Sequence, residues 1–384
     1  MLHLTLDAPG VVSNNLDGTW FELFGLAALG KRHVLNTIRF DTRMIDDGSY
    51  VLDDPPELAA WDVEVPVGAQ IFGATSGFPS TRTHQFWVGW LVGRQLHMQA
   101  LKQEAPFATD LAEAEVPIFP AVMDKAGRAA LYSWRPAAQG TELWQRTFTG
   151  EIKQAPTMQS HKVADVPGQP LASVAGVMEG KQHPTSHAMV GWVEDSREGA
   201  ILGMVLIEAD QVNVVRSHPV AAMSPLPRQR LGIWGVAWDC VELSAVVQTR
   251  AERPGYSVVR FSLGQNLPNS DGWWSSKSVG MTLADVSQQP LWQKRSLEVT
   301  KLNLTPGTLH ASAIDHYMQR SEKLLHQVYL TRDGHLHRAY DVGGELQVVF
   351  RNIALDDPLA VLISPQNPFW GTRHPDGNFT MERF

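Results

Sequence analysis

Three apolar runs between residues 188 and 220 constrain the fold more than any other part of the sequence. They are Met189–Val193, Ile201–Ile207 and Val212–Val215, and they are rich in Val, Ile and Trp. Short polar links separate them, which is typical of consecutive antiparallel strands joined by turns. The stretch therefore predicts a β-meander. Long, strongly periodic helices are absent elsewhere in the sequence, so we expect an all-β chain.

A short shared motif indicates that this meander is one of several repeats. Val88-Gly89-Trp90 recurs as Val190-Gly191-Trp192, 102 residues later. A period of ~40–50 residues with four strands per unit is typical of a β-propeller. We therefore predict about seven blades of four antiparallel strands, closed by pairing of the N- and C-terminal segments. The predicted blades are 23–70, 71–117, 118–173, 174–232, 233–308, 309–358, and 359–384 together with 1–22.

Small residues in the runs that open the predicted blades support this architecture. They include Gly73-Ala74, Ala175-Gly176 and Gly235. Strands that crowd around a central channel have little lateral room, so small side chains fit there. Six or eight blades remain open, as do a pair of β-sandwiches and a mixed all-β array.

Four segments carry expectations of their own. Phe107–Glu115 is the best helix candidate, although it could equally be a loop, and residues 151–170 form a polar, Pro-bearing connection. His3–Leu6 is expected to supply the outer strand of the last blade, and Asn378–Arg383 one more strand near the end of the chain.

Composition excludes several classes of partner. The 384 residues carry a net charge of -8, which argues against a general nucleic-acid-binding or acidic-membrane-binding surface. The longest apolar runs fall far short of the ~20 residues of a membrane span, so we expect no membrane insertion. The first residues lack a basic region followed by a long apolar region, which predicts a cytoplasmic protein.

Sequence motifs for catalysis are missing. No GxxxxGK[ST] or strand-linked GxGxxG pattern occurs, so we expect no nucleotide cofactor. The closest approach to a GxSxG nucleophile motif is Gly73-Ala74-Thr75-Ser76-Gly77, where the serine stands one position too late. The sequence favours a protein that is not an enzyme and that has no cofactor.

The metal-ligand candidates that we retain lie near one predicted hairpin. His335 and His337 alternate along a strand, so both point to one side of a sheet, and Asp333 in the preceding turn is available as a third ligand. Exposed strand histidines beside an Asp-Gly turn are the commoner explanation of this pattern. We therefore predict no metal site and keep these three residues as the candidates.

Aromatic pairs in polar, Gly- or Pro-rich segments are the candidate partner-binding residues. Trp273 and Trp274 lie in the predicted loop 264–278, and Phe369 and Trp370 lie in the predicted tail 364–377. Apolar rings on exposed loops are typical anchors of protein contacts.

These observations favour a non-catalytic scaffold subunit that binds other protein subunits of a larger assembly. The first alternative is a small-ligand or glycan-binding protein, or a hydrolase, that uses the central channel. The second alternative is a structural component of a virion or injection machine.

Overall fold

A computed structural model shows that most of the described residues lie in β-strands. Side chains are described only within residues 63–314, with gaps. The described residues are 2–5, 8–14, 20–29, 32–44, 50–52, 57–66, 69–76, 87–100, 103–124, 127–150, 154–177, 187–209, 211–236, 240–264, 283–288, 295–302, 304, 309, 311–318, 324–332, 335–342, 345–354, 362–363, 369–373 and 378–383.

The chain divides into two compact units. The first comprises Met1–Ala137, Glu142–Val163 and Leu362–Phe384, and the second comprises Ala138–Thr141 and Ala164–Val361.

The described strands of the first unit form three sheets. The strands are β1 (Leu2–Thr5), β2 (Ala8–Asn14), β3 (Trp20–Leu29), β4 (Arg32–Met44), β5 (Tyr50–Leu52), β6 (Glu57–Glu64), β7 (Gln70–Ser76), β8 (Trp87–Val92), β9 (Gln95–Ala100), β10 (Phe107–Asp110), β11 (Val116–Met123), β12 (Ala129–Pro136), the greater part of β13 (Thr141–Thr149) and of β14 (Thr157–Val166), β30 (Leu362–Ile363), β31 (Phe369–Arg373) and β32 (Asn378–Arg383). The sheet orders are β1-β32-β31-β30, then β2-β3-β4-β5 with β6 beside β4, then β10-β9-β8-β7-β11-β12-β13-β14.

Strands of the second unit also form three sheets. The strands are β15 (Ala172–Val177), β16 (His187–Asp195), β17 (Gly199–Glu208), β18 (Gln211–Arg216), β19 (Val220–Ala221), β20 (Met223–Pro225), β21 (Gln229–Arg230), β22 (Gly232–Val236), β23 (Cys240–Thr249), β24 (Tyr256–Gly264), β25 (Arg295–Lys301), β26 (Ala311–Met318), β27 (Leu324–Arg332), β28 (His335–Val342) and β29 (Glu345–Ala354). Their orders are β15-β16-β17-β18 with β19 beside β17, β20-β23-β24-β25 with β22 beside β23, and β21-β26-β27-β28-β29. The helix α1 spans Leu283–Ser287.

Strands that follow one another in the sequence form groups, each of which is a sheet or one half of the eight-stranded sheet. Within each unit, the first strands of neighbouring groups lie side by side. In the first unit β7 pairs in parallel with β11, from Ala74 opposite Ala121 to Ser76 opposite Met123, and β2 lies beside β7. In the second unit β15 lies beside β22, and β22 lies beside β26. A Cβ atom on Gly176 of β15 would press on Ile233 of β22. The small residue predicted there is therefore required by close strand packing.

The repeated Val-Gly-Trp motif falls on the second strand of two different groups, β8 and β16. Trp90 is 3% exposed and Trp192 is fully buried. The glycine before each Trp leaves room for a neighbouring side chain: Gly89 faces Phe72, and Gly191 faces Leu243. The motif therefore indicates that the two groups share one packing arrangement, in which a neighbouring side chain lies against the glycine.

The all-β expectation is confirmed, as is the β-meander, which forms β16, β17 and β18. Asn378–Arg383 forms β32, and β32 pairs with β1 from Leu2 opposite Met381 to Thr5 opposite Asn378. The predicted pairing of the terminal segments is therefore present. The number of blades, their boundaries and the closure of the strands into a ring stay predictions.

Two local expectations are wrong. The helix proposed for Phe107–Glu115 is the strand β10 followed by a turn, because Phe107–Asp110 pairs with β9 and the ring of Phe107 packs edge-on against Phe148. The connection proposed for residues 151–170 contains the ten-residue edge strand β14. Among the described residues, no helix has the length and apolar character needed to cross a bilayer.

Candidate functional site

Buried glutamates mark the polar sites in the two units. In the first unit, Glu115 ends the link between β10 and β11. The link is fixed at its start, where Leu111 N–H donates to the carbonyl of Arg94 at 2.9 Å and Arg94 Nη2 donates to the carbonyl of Leu111 at 2.8 Å. Its end is a turn in which Glu115 N–H donates to Ala112 O at 3.0 Å. The turn directs the Glu115 side chain over β12 and β13.

Both carboxylate oxygens of Glu115 are occupied. Oε1 accepts from Ser133 Oγ at 2.5 Å and from Arg146 Nη1, and Oε2 accepts from Arg146 Nη2 at 2.8 Å. Oε2 also accepts from Ala112 N–H at 2.8 Å and from Arg135 Nε at 3.2 Å. Glu115 and Arg146 are 6% and 3% exposed, so the pair is a buried, bidentate ion pair.

The ionised form of Glu115 dominates in the folded state. Burial by itself raises the pKa, but hydrogen bonds from Arg146, Ser133 and Ala112 N–H and the charge of Arg146 outweigh it. Together they lower the pKa of Glu115 from 4.5 to about 2. A carboxylate whose oxygens already accept these bonds is unsuited to accept a proton from a substrate. The cluster locks the β10–β11 link onto β12 and β13.

A half-buried polar ladder continues from this cluster. The guanidinium of Arg135 lies 3.8 Å above the ring of Trp144, a cation–π contact. Trp144 Nε1 donates to Glu142 Oε2 at 2.8 Å, and Lys162 Nζ lies 3.4 Å from Glu142 Oε1. The ladder joins β12, β13 and the edge strand β14.

In the second unit, Glu208 and Gln211 hold the start of α1. Glu208 Oε2 accepts from the N–H of Leu283, and Gln211 Oε1 accepts from the N–H of Ala284 at 2.9 Å. The first N–H groups of a helix have no partner within the helix, so these side chains act as caps supplied from a distant turn. The two residues oppose each other at the end of the β17–β18 hairpin.

Glu242 lies in a buried polar row across β23 and β24. It accepts from Ser244 Oγ at 3.2 Å and from Ser262 Oγ at 3.1 Å, and all three residues are buried. Ser262 opposes Glu242 in the strand register, so the hydroxyl and the carboxylate meet directly.

Glu194 forms an ion pair with Arg216 on the face of β16–β18 that also carries Trp192. Its Oε1 contacts Arg216 Nη2. Its carboxylate also packs against Gly168, which has a φ of 97°, and a Cβ atom on Gly168 would collide with that carboxylate. Burial lowers the pKa of Arg216. Among the described residues, Glu194 Oε2 accepts no hydrogen bond and Arg216 Nε donates none.

Two of the four predicted partner-binding residues lie among the described residues. Trp273 and Trp274 lie outside the described residues. Phe369 and Trp370 belong to β31, which pairs with both β30 and β32, so they do not stand in a tail loop as predicted. Leu362 and Ile363 of β30 lie opposite Gly371 and Trp370 of β31 in this antiparallel pair. Partner binding by these four residues stays a prediction.

The structure places the backbone of two of the three metal-ligand candidates, and a metal site at them stays untested. His335 and His337 lie on β28, and Asp333 lies outside the described residues. The register shifts between them, with His335 opposite Ala354 and His337 opposite Phe350, so a β-bulge lies beside the pair. No group of three or more His, Cys, Asp or Glu side chains that could hold a metal occurs in the part of the chain whose side chains are described.

The buried glutamates were not identified as sites from the sequence. Glu208 directly follows an apolar run of the predicted meander, and Glu115 ends the segment Phe107–Glu115 that is predicted as a helix or loop. An acidic residue directly beside an apolar strand run is the one signal that could have found Glu115, Glu194 and Glu208. That signal is weak because solvent-exposed turns give the same pattern.

Comparisons with known proteins find several solved structures with a similar course of the chain, but they show no family for this chain. No protein-family model and no curated protein matches it in sequence. AofleA from Arthrobotrys oligospora is 13% identical with a TM-score of 0.44, over 91% of this chain and 88% of that one. The β-propeller domain of Vanderwaltozyma polyspora Nup133 is 9% identical with a TM-score of 0.47, over 99% and 94%.

A third similar structure is an alpha-L-arabinanase from Penicillium chrysogenum. It is 8% identical with a TM-score of 0.43, over 100% of this chain and 99% of that one. Because all three TM-scores are below 0.5, we transfer no activity, ligand or residue role from these proteins.

Proposed function

We propose that the chain is a β-propeller of about seven blades that serves as a scaffold subunit. Strand pairing supports the architecture: when the two halves of the eight-stranded sheet are counted separately, the described strands fall into seven groups. The side-by-side first strands, β2, β7 and β11 in one unit and β15, β22 and β26 in the other, are the arrangement expected of strands lining a channel.

The observation that carries the scaffold function is that the described chain is held on both sides of residues 265–282. These residues, called the insertion here, lengthen the sequence between β24 and β25 and contain most of the predicted loop 264–278. The segment before it ends at Gly264, which is paired with Cys240, and the segment after it begins at Leu283, which is 2% exposed and capped by Glu208. Long insertions on a rigid framework typically carry binding residues.

Trp273 and Trp274 in this insertion are the proposed anchors, and Phe369 and Trp370 are a proposed second contact. Large aromatic rings bury much surface at low entropic cost, which is why they dominate binding energy at interfaces. The proposed partners are other protein subunits in the cytoplasm.

A double substitution tests the docking role. Trp273→Ala/Trp274→Ala should remove one or more proteins that co-purify with the tagged wild-type chain, as measured by quantitative mass spectrometry. Leu171→Ser is the matched control. It removes an apolar side chain that is 56% exposed, directly before β15, and leaves the insertion unchanged. Unchanged recovery of every partner in the double variant would overturn the proposed role of the insertion.

The alternatives have outcomes of their own. Stoichiometric binding of a glycan, or turnover of a generic ester or glycoside substrate, would favour the channel-binding alternative. A symmetric native particle in electron micrographs would favour a structural component of a virion or injection machine.

A further inference from the structure

Two arginines contact the carboxylate of Glu115, and they use different parts of the guanidinium to do so. Arg146 is 3% exposed, and both of its Nη groups donate to Glu115. Arg135 donates to Glu115 from Nε at 3.2 Å, and its side chain is 23% exposed. Among the described residues, the hydrogen bond that Arg135 donates comes from Nε. The parallel N–H groups of its Nη1–Nη2 edge are therefore available to an acceptor on a ligand.

The guanidinium of Arg135 is restrained before any ligand arrives. Its centre lies 3.8 Å above the ring of Trp144. The ring is itself fixed, because Trp144 Nε1 donates to Glu142 Oε2 at 2.8 Å. The contact between Arg135 Nε and Glu115 sets the direction of the remaining edge. A guanidinium that is already oriented loses little conformational freedom on binding.

The charges around this edge favour a ligand group with a single negative charge. Arg146 compensates Glu115, and Lys162 Nζ lies 3.4 Å from Glu142 Oε1. Arg135 therefore supplies the positive charge that remains in the cluster. A planar fork of two N–H groups matches the two oxygens of a carboxylate. A phosphate dianion would bring a second negative charge towards the two glutamates, which repel it.

We propose that the Nη1–Nη2 edge of Arg135 binds the carboxylate of a small organic acid and that Trp144 holds the guanidinium in place for it. The site lies within the first unit, at the end of β12 and beside β13. It goes beyond the scaffold function and does not depend on it. Simple acids and acidic sugars both carry this group, so the test uses one of each.

The test is a titration of the full chain with sodium glucuronate, sodium acetate and glucose at constant ionic strength. The readout is the indole N–H resonance of Trp144 in a proton–nitrogen correlation spectrum. The loss of this resonance in Trp144→Phe identifies it among those of the 13 Trp residues. We expect glucuronate to shift it and glucose to leave it unmoved. A similar affinity for acetate would mean that the carboxylate alone is recognised, and a weaker or absent response to acetate would assign the site to an acidic sugar.

Substitutions at two arginines separate the fork from the charge. Arg135→Lys keeps the positive charge but not the fork, and it should weaken binding about tenfold or more, as expected for the loss of one charge-assisted hydrogen bond. Arg135→Gln, a second variant, should abolish the shift. Arg128→Gln is the matched control, because Arg128 also donates from Nε to a carboxylate, that of Asp124, and its side chain is 53% exposed. Its affinity should equal that of the wild type.

Three results would overturn the proposed site. The first is a Trp144 resonance that glucuronate leaves unmoved in the wild type. The second is an equal response to glucose, which carries no carboxylate. The third is an affinity that Arg135→Lys leaves unchanged, or that Arg128→Gln lowers as much, because the acid would then respond only to general positive charge. The docking test is independent of all three, since it changes Trp273 and Trp274 alone.

Discussion

At the scale of single residues, the Glu115–Arg146 pair makes the strongest statement about stability. A buried ion pair pays a desolvation penalty that its mutual attraction only partly offsets, so its presence is no proof of added stability. Removing one member is different, because the other charge is left buried without compensation. Glu115 further accepts bonds from Ser133, Arg135 and Ala112, which would all lose their acceptor or its charge.

We predict that Glu115→Gln lowers the free energy of unfolding by about 3 kcal/mol, measured by urea denaturation. The double variant Glu115→Met/Arg146→Met should be less destabilised than the sum of the two single variants, because it removes both charges together. Strict additivity of the two single changes would contradict a direct coupling between Glu115 and Arg146.

The pKa of Glu115 predicts how this stabilisation depends on pH. The folded-state pKa of about 2 lies below the ordinary value of 4.5, so the unfolded state binds the proton more tightly. The contribution is therefore fully present above pH ~5 and is lost as the pH falls towards ~2. The difference in unfolding free energy between wild type and Glu115→Gln should shrink over that range. A difference that stays constant from pH 6 to pH 2.5 would show that Glu115 does not titrate as described.

Gly203 provides a residue-scale test of packing. A Cβ atom there would meet the ring of Trp192, which is fully buried and cannot move away. Gly203→Ala should therefore cost about 1–3 kcal/mol of unfolding free energy in chemical denaturation. Gly255→Ala is the control, since its Cβ would only touch Thr249 at an ordinary 3.9 Å. Equal effects of the two substitutions would argue against the packing described for Trp192.

The sequence predicts which apolar strands are buried better than it predicts which polar residues are buried among them. Val, Ile and Trp runs reveal buried strands because burial follows directly from the type of residue. The burial of Glu115 instead depends on Ser133, Arg135 and Arg146, which reach it from strands 18 to 31 residues away. No local pattern carries that information, so the site becomes visible only in the folded chain.

At the scale of elements, the two wrong predictions of secondary structure, for residues 107–115 and 151–170, have specific physical causes. Residues 107–115 contain good helix formers, yet pairing with β9 and packing of Phe107 outweigh a weak intrinsic preference. The edge strand β14 was missed because most of its side chains are exposed, so it lacks the alternation of apolar and polar residues that marks a half-buried strand. The run Ile201–Ile207 was predicted correctly because it lies within β17, every residue of which is buried.

Truncation at the C-terminal end gives a prediction about elements. Ending the chain after Gln366 removes β31 and β32, and β32 is the strand that pairs with β1. We expect the first unit to lose thermal stability and resistance to proteolysis. Hydrogen exchange in β16 and β17 of the second unit should stay close to that of the full chain. Protection lost equally in both units would contradict this assignment of β31 and β32 to the first unit.

At the scale of the whole molecule, the pairing of β1 with β32 predicts tolerance to circular permutation. Leu2 lies opposite Met381, so a short Gly-containing linker between residues 384 and 1 would complete a hairpin. New termini between Glu252 and Arg253, in an exposed turn, should leave the circular dichroism spectrum and the melting temperature nearly unchanged.

The control permutation opens the chain inside a buried strand. New termini between Met204 and Val205 of β17, both fully buried, should prevent folding. A failure of both permuted chains would show that joining β1 to β32 is itself disruptive.

The β1–β32 ladder also determines how the chain responds to mechanical force. The two strands are antiparallel, and their ladder hydrogen bonds run perpendicular to the strands. A pull applied at residues 2 and 383 therefore loads one bonded pair at a time, as in opening a zipper, and does not shear all pairs together. Extension of the molecule should begin at this ladder, at low force, before any other sheet gives way.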